Sequence, residues 1–184
     1  MQGFCWLLSL SKKLIFFTDK MTQNNMIALD KIKLIVYDFD GVMTDNKVLL
    51  REDGLESVVV NRSDGLAVEV IRNLGISQLI LSKEKNKVVV IRANKLGIPV
   101  LHGVADKKEI LSQYCVEHSI CLDNVMYIGN DLNDVEVMQV VGFPVCPKDA
   151  YPDAKRIACL VIPVNGGDGV VRELLNYIGK HEEM

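Results

Sequence analysis

This 184-residue chain has no surplus of positive charge: 24 acidic residues against 21 basic ones leave a net charge of −3. That balance argues against a nucleic-acid partner, which needs a basic footprint. An anionic substrate would instead require a local basic site or a metal. Cysteines are few and lack a ligand pattern: Cys5, Cys115, Cys121, Cys146 and Cys159 form an odd set with no C-x-x-C pair. Their spacing fits neither a zinc site nor a disulfide framework, and it fits a reducing cytoplasm with small buried thiols. Neither G-x-G-x-x-G nor G-x-x-x-x-G-K-[ST] occurs, which argues against a dinucleotide oxidoreductase and a P-loop kinase. No internal repeat or low-complexity tract is present.

Long hydrophobic runs are missing too. The opening "FCWLLSLSKKLIFF" is apolar but broken by Lys12 and Lys13, and its runs are too short to span a bilayer. It has neither a basic start nor an A-x-A-like cleavage site, so it does not read as a signal peptide. The following "TDKMTQNNM" is polar and linker-like. Residues 1–30 are therefore expected to be an N-terminal extension, either disordered or a gene-model artefact with Met21 or Met26 as the true start. One domain is expected over residues 31–184, a length that suits a single core.

What is present is a regular alternation. Buried strands read at "KLIVYDF", "SQLILS", "IPVLHG", "NVMYIG", "FPVCP" and "CLVIPV", with 49% of the chain hydrophobic. Amphipathic stretches lie between them at 66–74, 86–96, 107–118, 135–141 and 170–178. Continuous apolar strands alternating with helices predict an α/β fold, a Rossmann-like parallel sheet with helices on both faces. Ligands in such sheets bind beyond the carboxyl ends of the strands, at the topological switch point. One segment breaks the alternation. "KVLLREDGLESVVV" reads as a hairpin around Asp53-Gly54, with Val48, Leu50, Val58 and Val60 alternating as a one-sided strand pair should, and it is small enough to stand where a longer chain would carry a lid domain.

The chemistry collects at strand ends. In "LIVYDFDGVMTDN", Asp38 and Asp40 close the first strand, and the period-2 rule points both carboxylates one way. Gly41 permits a turn or a close backbone approach immediately after. A carboxylate can attack phosphorus and form an aspartyl-phosphate, and a second acid can protonate the leaving alcohol and later activate water. Holding a phosphate against acids needs a divalent cation, and hard oxygen ligands suit Mg²⁺. Ser82 ends the next strand with a hydroxyl for a phosphate oxygen. Lys107 opens a helix after "IPVLHG", where its ammonium can neutralise charge. "YIGNDLND" ends a further strand with Asn130, Asp131 and Asp134. Each group alone is an ordinary cap or solvated residue; together, at the ends of successive strands, they specify a site.

The set resembles the haloacid dehalogenase-type phosphatases. Their D-x-D-G-x-x-T-D motif implies Asp38 as nucleophile and Asp40 as acid/base with its carbonyl on the metal. Their serine/threonine, lysine and acidic motifs match Ser82, Lys107 and "GNDLND". From Lys31 to about Lys180 the chain is similar to the lidless subfamily of ulosonic acid phosphatases. That subfamily holds 3-deoxy-manno-octulosonate 8-phosphate phosphatases, nonulosonate 9-phosphate phosphatases and the phosphatase-like domain of CMP-acylneuraminate synthetases. The resemblance rests on the hairpin, "NRSDGLAV", "LSKEKN", "HGVADK" and "NGGDGVVREL". It implies Mg²⁺ held by Asp38, Asp40, Asn130, Asp131 and Asp134. It also implies substrate contacts at Asn61, Asp64, Gly65, Glu84, Arg92 and Lys95, and a cytoplasmic homotetramer with hairpins meeting at its centre.

Two departures refine the expectation. Asn130 stands where the octulosonate branch has an aspartate, so metal binding should weaken. Glu69 and Glu84 stand where that branch typically has arginine. The nonulosonate branch instead has a "GEK"-like turn with a downstream Arg and Lys, matching Glu84-Lys85, Arg92 and Lys95. Arg92 and Lys95, three apart on one helix, are expected to reach a neighbour's site together, with a bidentate Arg on the sugar carboxylate. The reading is a Mg²⁺-dependent phosphatase of an ulosonic acid phosphate, the nonulosonate 9-phosphate favoured. The alternative is a non-catalytic tetramerisation module associated with CMP-acylneuraminate synthesis.

Overall fold

The computed structural model describes residues 27–179. The proposed extension, up to residue 26, and Cys5 lie outside the described residues. Its last residues belong to the folded body: β1 (Ile27–Ala28) pairs in parallel with β10 (Ile178–Gly179), and a 3-10 turn at Leu29–Lys31 leads into the sheet.

The main sheet has six parallel strands in the order β6-β5-β2-β7-β8-β9. These are β2 (Leu34–Tyr37), β5 (Ser77–Leu81), β6 (Val100–Leu101), β7 (Val125–Ile128), β8 (Phe143–Pro147) and β9 (Leu160–Ile162). All six coincide with the apolar runs read from the sequence. β2 is central: the chain runs outward through β5 to β6, then crosses back to β7 on the other side. The switch point therefore lies between the carboxyl ends of β2 and β7, where Asp38 N donates to the Ile128 carbonyl at 2.9 Å.

Strand periodicity sorts the core into two layers. Ile35 and Tyr37 face a cluster with Ala67, Val68 and Ile71 of α1 (Ser63–Asn73), Val89 and Ala93 of α2 (Val88–Leu96) and Val171 of α6 (Val170–Leu174). Leu34 and Val36 face the other cluster, with Leu111 and Cys115 of α3 (Lys107–Glu117), Val137 of α4 (Val135–Met138) and Ala154 of α5 (Pro152–Ile157). Alternate residues of one buried strand thus serve opposite faces. The short helix α5 had no counterpart in the sequence reading; Pro152 at its first turn, followed by Asp153, is the signal that marks its start.

The hairpin is smaller than its sequence implied. β3 (Leu49–Leu50) and β4 (Glu56–Ser57) pair over two residues each, and an isolated bridge joins Thr44 to Val60. Its apolar residues do not share one face as expected. Val58 and Val60 pack on the chain's own core, whereas Val48, Leu49, Leu50, Leu55 and Val59 are exposed, Leu49 and Leu50 each at 68%. Among the described residues no helix is long and apolar enough to cross a membrane.

Candidate active site

Asp38 follows β2 directly and is almost wholly buried. Its Oδ1 accepts from the Phe39 amide at 2.7 Å and lies 2.7 Å from Lys107 Nζ. Lys107 opens α3, whose N-cap Asp106 accepts from the Glu109 amide at 2.9 Å and so fixes the first turn. The same ammonium sits 2.7 Å from Asp134 Oδ1. Burial, and then Asp134, push the Asp38 carboxyl up against the pull of Lys107. For Lys107 burial works against the charge, but the two carboxylates outweigh it and its pKa is raised. A shared ammonium between two buried acids is the charge balance of this site.

Asp134 is placed differently from the metal ligand that the sequence implied. Its Oδ1 also accepts from the Tyr127 hydroxyl at 2.7 Å, and its Oδ2 takes the amides of Asn130 at 2.8 Å and Asp131 at 3.2 Å. Both oxygens are engaged by the protein's own donors, and the residue is fully buried. Asp134 therefore positions Lys107 and the Asn130 backbone. Tyr127, which the sequence reading did not single out, belongs to this device; a tyrosine inside an otherwise aliphatic strand just before "GND" was its signal.

Asp40 is half-buried, and its carboxyl is raised first by burial and then by Glu84. The raised value suits a group that must hold a proton for a leaving alcohol. Gly41 beside it has φ +80°, and a Cβ there would lie 2.0 Å from the Asn130 amide nitrogen. Only glycine fits that position. The loop is backed from the far end of the chain: the Gly167 amide donates to the Val42 carbonyl at 3.1 Å. A Cβ on Gly166 would meet the Gly41 carbonyl at 2.2 Å.

Asn130 closes the switch point. One terminal atom of its amide lies 2.9 Å from the Asp40 carbonyl oxygen and 3.3 Å from Asp38 Oδ2. With nitrogen there it donates to both; with oxygen there, three oxygens converge on one point. A carboxylate, a main-chain carbonyl and an amide oxygen form a hard donor set that fits a Mg²⁺ ion. Among the described residues no trio of His, Cys, Asp or Glu side chains forms a metal centre, so the mixed set is the one that fits. Asp131 lies at the rim, and its Oδ1 accepts from the Leu132 amide at 2.7 Å.

Ser82 follows β5 directly, with its amide on the Leu101 carbonyl at 2.9 Å. Its Oγ accepts from the Glu84 amide at 3.1 Å, which leaves the hydroxyl hydrogen for another acceptor. These groups line a cavity of about 210 Å³ bounded by Asp38, Asp40, Ser82 and Asn130, with Asn46, Lys83, Glu84, Asp131 and Asn133 around them. Asn46, Lys83 and Asn133 were not singled out from the sequence. Asn46 carried a readable signal, since asparagine tolerates the left-handed φ of +62° it adopts after the acidic loop.

Apart from Glu84, the expected substrate residues do not line this cavity. Arg92 and Lys95 differ in burial: Arg92 is buried and donates to the Asn61 carbonyl at 2.8 Å, whereas Lys95 is exposed on α2. Asp64 is buried in α1 and its Oδ1 accepts from the Arg172 amide at 3.0 Å, capping α6. Burial raises its carboxyl to about 6 despite that bond and the nearby Arg92. Asn61 Oδ1 accepts from the Ser63 amide and hydroxyl, and Gly65 packs against Leu96. Within one chain, then, Asn61, Asp64, Gly65 and Arg92 brace the α1–α2–α6 layer behind the site.

A parallel doubly wound sheet with acids, a serine and a lysine at its carboxyl edge defines a class of phosphate-transferring hydrolases. Residues 72–174 match the haloacid dehalogenase-like hydrolase family. The chain is 33% identical over 150 residues to the 3-deoxy-D-manno-octulosonate 8-phosphate phosphatase of Escherichia coli strain K12, covering 81% of this chain and 80% of the relative. It is similar to the solved structure of a HAD family hydrolase from Streptomyces avermitilis, with a TM-score of 0.82, 43% identity and coverage of 85% and 90%. It is also similar to the 3-deoxy-D-manno-octulosonate 8-phosphate phosphatase of Moraxella catarrhalis, solved with magnesium, phosphate and KDO. There the TM-score is 0.76 with 28% identity, over 78% of this chain and 83% of that one. The chain belongs to the haloacid dehalogenase-like hydrolases, in their lidless ulosonic acid phosphatase branch, and is a phosphoric monoester hydrolase.

Proposed function

We propose that this enzyme releases inorganic phosphate from an ulosonic acid sugar phosphate through an aspartyl-phosphate on Asp38, with Mg²⁺ as cofactor. The observation that carries this reading is the Asp38–Lys107–Asp134 charge chain beside Ser82 and Asp40 at the β2/β7 switch point. A carboxylate oxygen of Asp38 attacks phosphorus as the bond to the sugar oxygen breaks, and Asp40 gives that oxygen a proton. Water then attacks the phosphorus and yields its proton to Asp40, which frees Asp38 and phosphate. Lys107 offsets the charge on Asp38, and Ser82 offers its hydroxyl hydrogen to a phosphate oxygen. Asp38, the Asp40 carbonyl and Asn130 would hold the Mg²⁺, which supplies charge neutralisation for the phosphate. Asp134 and Tyr127 fix the lysine, and Asp131 stays at the rim.

Within the substrate class, Glu84 at the rim supports the nonulosonate 9-phosphate, since arginine typifies the octulosonate branch there. The relatives' names support the octulosonate 8-phosphate, so the decisive assay runs both. Exposed Val48, Leu49, Leu50, Leu55 and Val59 support a homotetramer assembled on the hairpins. The test is Asp38→Asn, assayed for phosphate release on both sugar phosphates in millimolar Mg²⁺. Turnover should vanish while the circular dichroism spectrum is retained; turnover at the unsubstituted rate would refute covalent catalysis at Asp38.

A further inference from the structure

The cavity has two tiers with different chemistry. Its floor is Asp38, Asp40, Ser82 and Asn130, where a phosphate reacts. Its rim carries three charged side chains: Lys83, Glu84 and Asp131. Two of them are engaged by neighbouring backbone. Glu84 Oε1 accepts from the amides of Lys85 at 2.6 Å and Asn86 at 2.7 Å, and Asp131 Oδ1 from Leu132. Lys83 is exposed and has no hydrogen bond or ion pair with a described residue, and it is the only cation of the lining.

The root of that side chain is nonetheless fixed. Ser82 before it is pinned to Leu101, and Glu84 after it donates to Ser82 Oγ, while the Glu84 carbonyl accepts from Gly103 at 2.8 Å. A four-carbon stem on an anchored base sweeps a defined part of the rim, carrying a compact charge that is free to pair. A second anionic group of a substrate bound in this cavity would meet Glu84 and Asp131 in the lining, both of which repel it. Only Lys83 offers attraction there.

We infer that Lys83 is a specificity residue: its ammonium pairs with the carboxylate of the sugar acid while the phosphate occupies the floor. This rests on the phosphatase reading above and names the group that selects an acid sugar over a neutral one. A charge pair at a solvent-facing rim changes affinity by up to about fivefold, and placing the wrong sign there by more.

The experiment compares two probes that differ only in charge, 3-deoxy-octulosonate 8-phosphate and its methyl ester. The readout is the ratio of kcat/KM for the acid over the ester. Lys83→Met should lower that ratio about three- to fivefold, chiefly through KM for the acid; Lys83→Glu should lower it further, and Lys83→Arg should keep it. An equal fall for both probes would assign Lys83 to the phosphate and overturn the inference. A ratio unmoved by Lys83→Met and Lys83→Glu would overturn it as well. If the unsubstituted enzyme hydrolyses neither probe nor the nonulosonate 9-phosphate, the phosphatase reading itself fails, an outcome distinct from a working enzyme indifferent to Lys83.

Discussion

Replacing Lys107 by methionine tests the charge chain most directly. Methionine keeps the length and removes the ammonium that lies 2.7 Å from both Asp38 and Asp134. Asp134 would retain Tyr127 and two backbone amides, so most of the loss falls on Asp38, which keeps one amide. Leaving a buried charge without its partner costs about 3–5 kcal/mol, a large share of the roughly 5–15 kcal/mol that holds a domain together. At roughly 2–4 °C per kcal/mol for a domain of this size, the melting temperature at pH 8 should fall by about 10 °C. The deficit should depend on pH with a known sign. Burial already raises the Asp38 carboxyl above its unfolded value, and without the pull of Lys107 it rises further. Its protonated form fits the fold at low pH, and stability is lost as pH rises through the folded value. Urea unfolding at pH 5 and pH 8 should therefore show the larger deficit at pH 8. Adding Asp38→Asn to Lys107→Met should recover part of it, since the unpaired charge is gone. A deficit below about 1 kcal/mol at pH 8, or one equal at both pH values, would refute the claim that Asp38 and Lys107 form a buried ion pair.

Three further outcomes are expected. Asn130→Asp puts a second charged ligand beside Asp38 Oδ2, so the half-saturating Mg²⁺ concentration, measured by activity and by calorimetry, should fall several-fold; an unchanged or higher requirement would count against Asn130 as a ligand. Leu49→Glu with Leu50→Glu should convert the assembly to a species near 20.6 kDa by light scattering, and an unsubstituted protein already at that mass would defeat the hairpin tetramer. Asp64 has a folded pKa raised from 3.8 to about 6, so its contribution is present below the unfolded value and lost as pH rises past the folded one. Asp64→Asn should therefore gain stability relative to the unsubstituted protein between pH 4 and pH 7, by at most about 3 kcal/mol, and a pH-independent difference would contradict that shift.

The sheet was legible because its strands are buried on both faces and therefore read as unbroken apolar runs. Asp38, Asp40, Ser82, Lys107 and Asn130 were legible for a related reason: a polar group just past such a run must lie at the carboxyl edge. Direction around a helix was not. Arg92 turns inward, where its guanidinium donates a hydrogen bond to the carbonyl of Asn61, thirty-one residues earlier. No local spacing between Arg92 and Lys95 encodes that. Asp134 looked like a ligand until its partners were counted, and those partners include a lysine from the start of α3 and a tyrosine from β7. The hairpin failed as a period-2 pattern because Val58 and Val60 already serve the core as the strand leaves it. Lys83 was invisible as a rim residue because rim and floor are distinctions of depth, which a linear pattern does not carry.

The glycine turn behind the Asp40 loop has a consequence for biosynthesis. The loop leaves the ribosome before Gly166 and Gly167, which back it and follow about 125 residues later, a delay of roughly 6–25 seconds at ordinary elongation rates. Strands β2, β5, β6 and β7 can pair during that interval, because none of them needs the last segment for its ladder. The loop cannot settle, since the amide that holds the Val42 carbonyl has not been made. A nascent chain can therefore carry a formed β6-β5-β2-β7 sheet with an unset reaction centre, and hydrolytic competence waits for the Gly166-Gly167 turn to emerge.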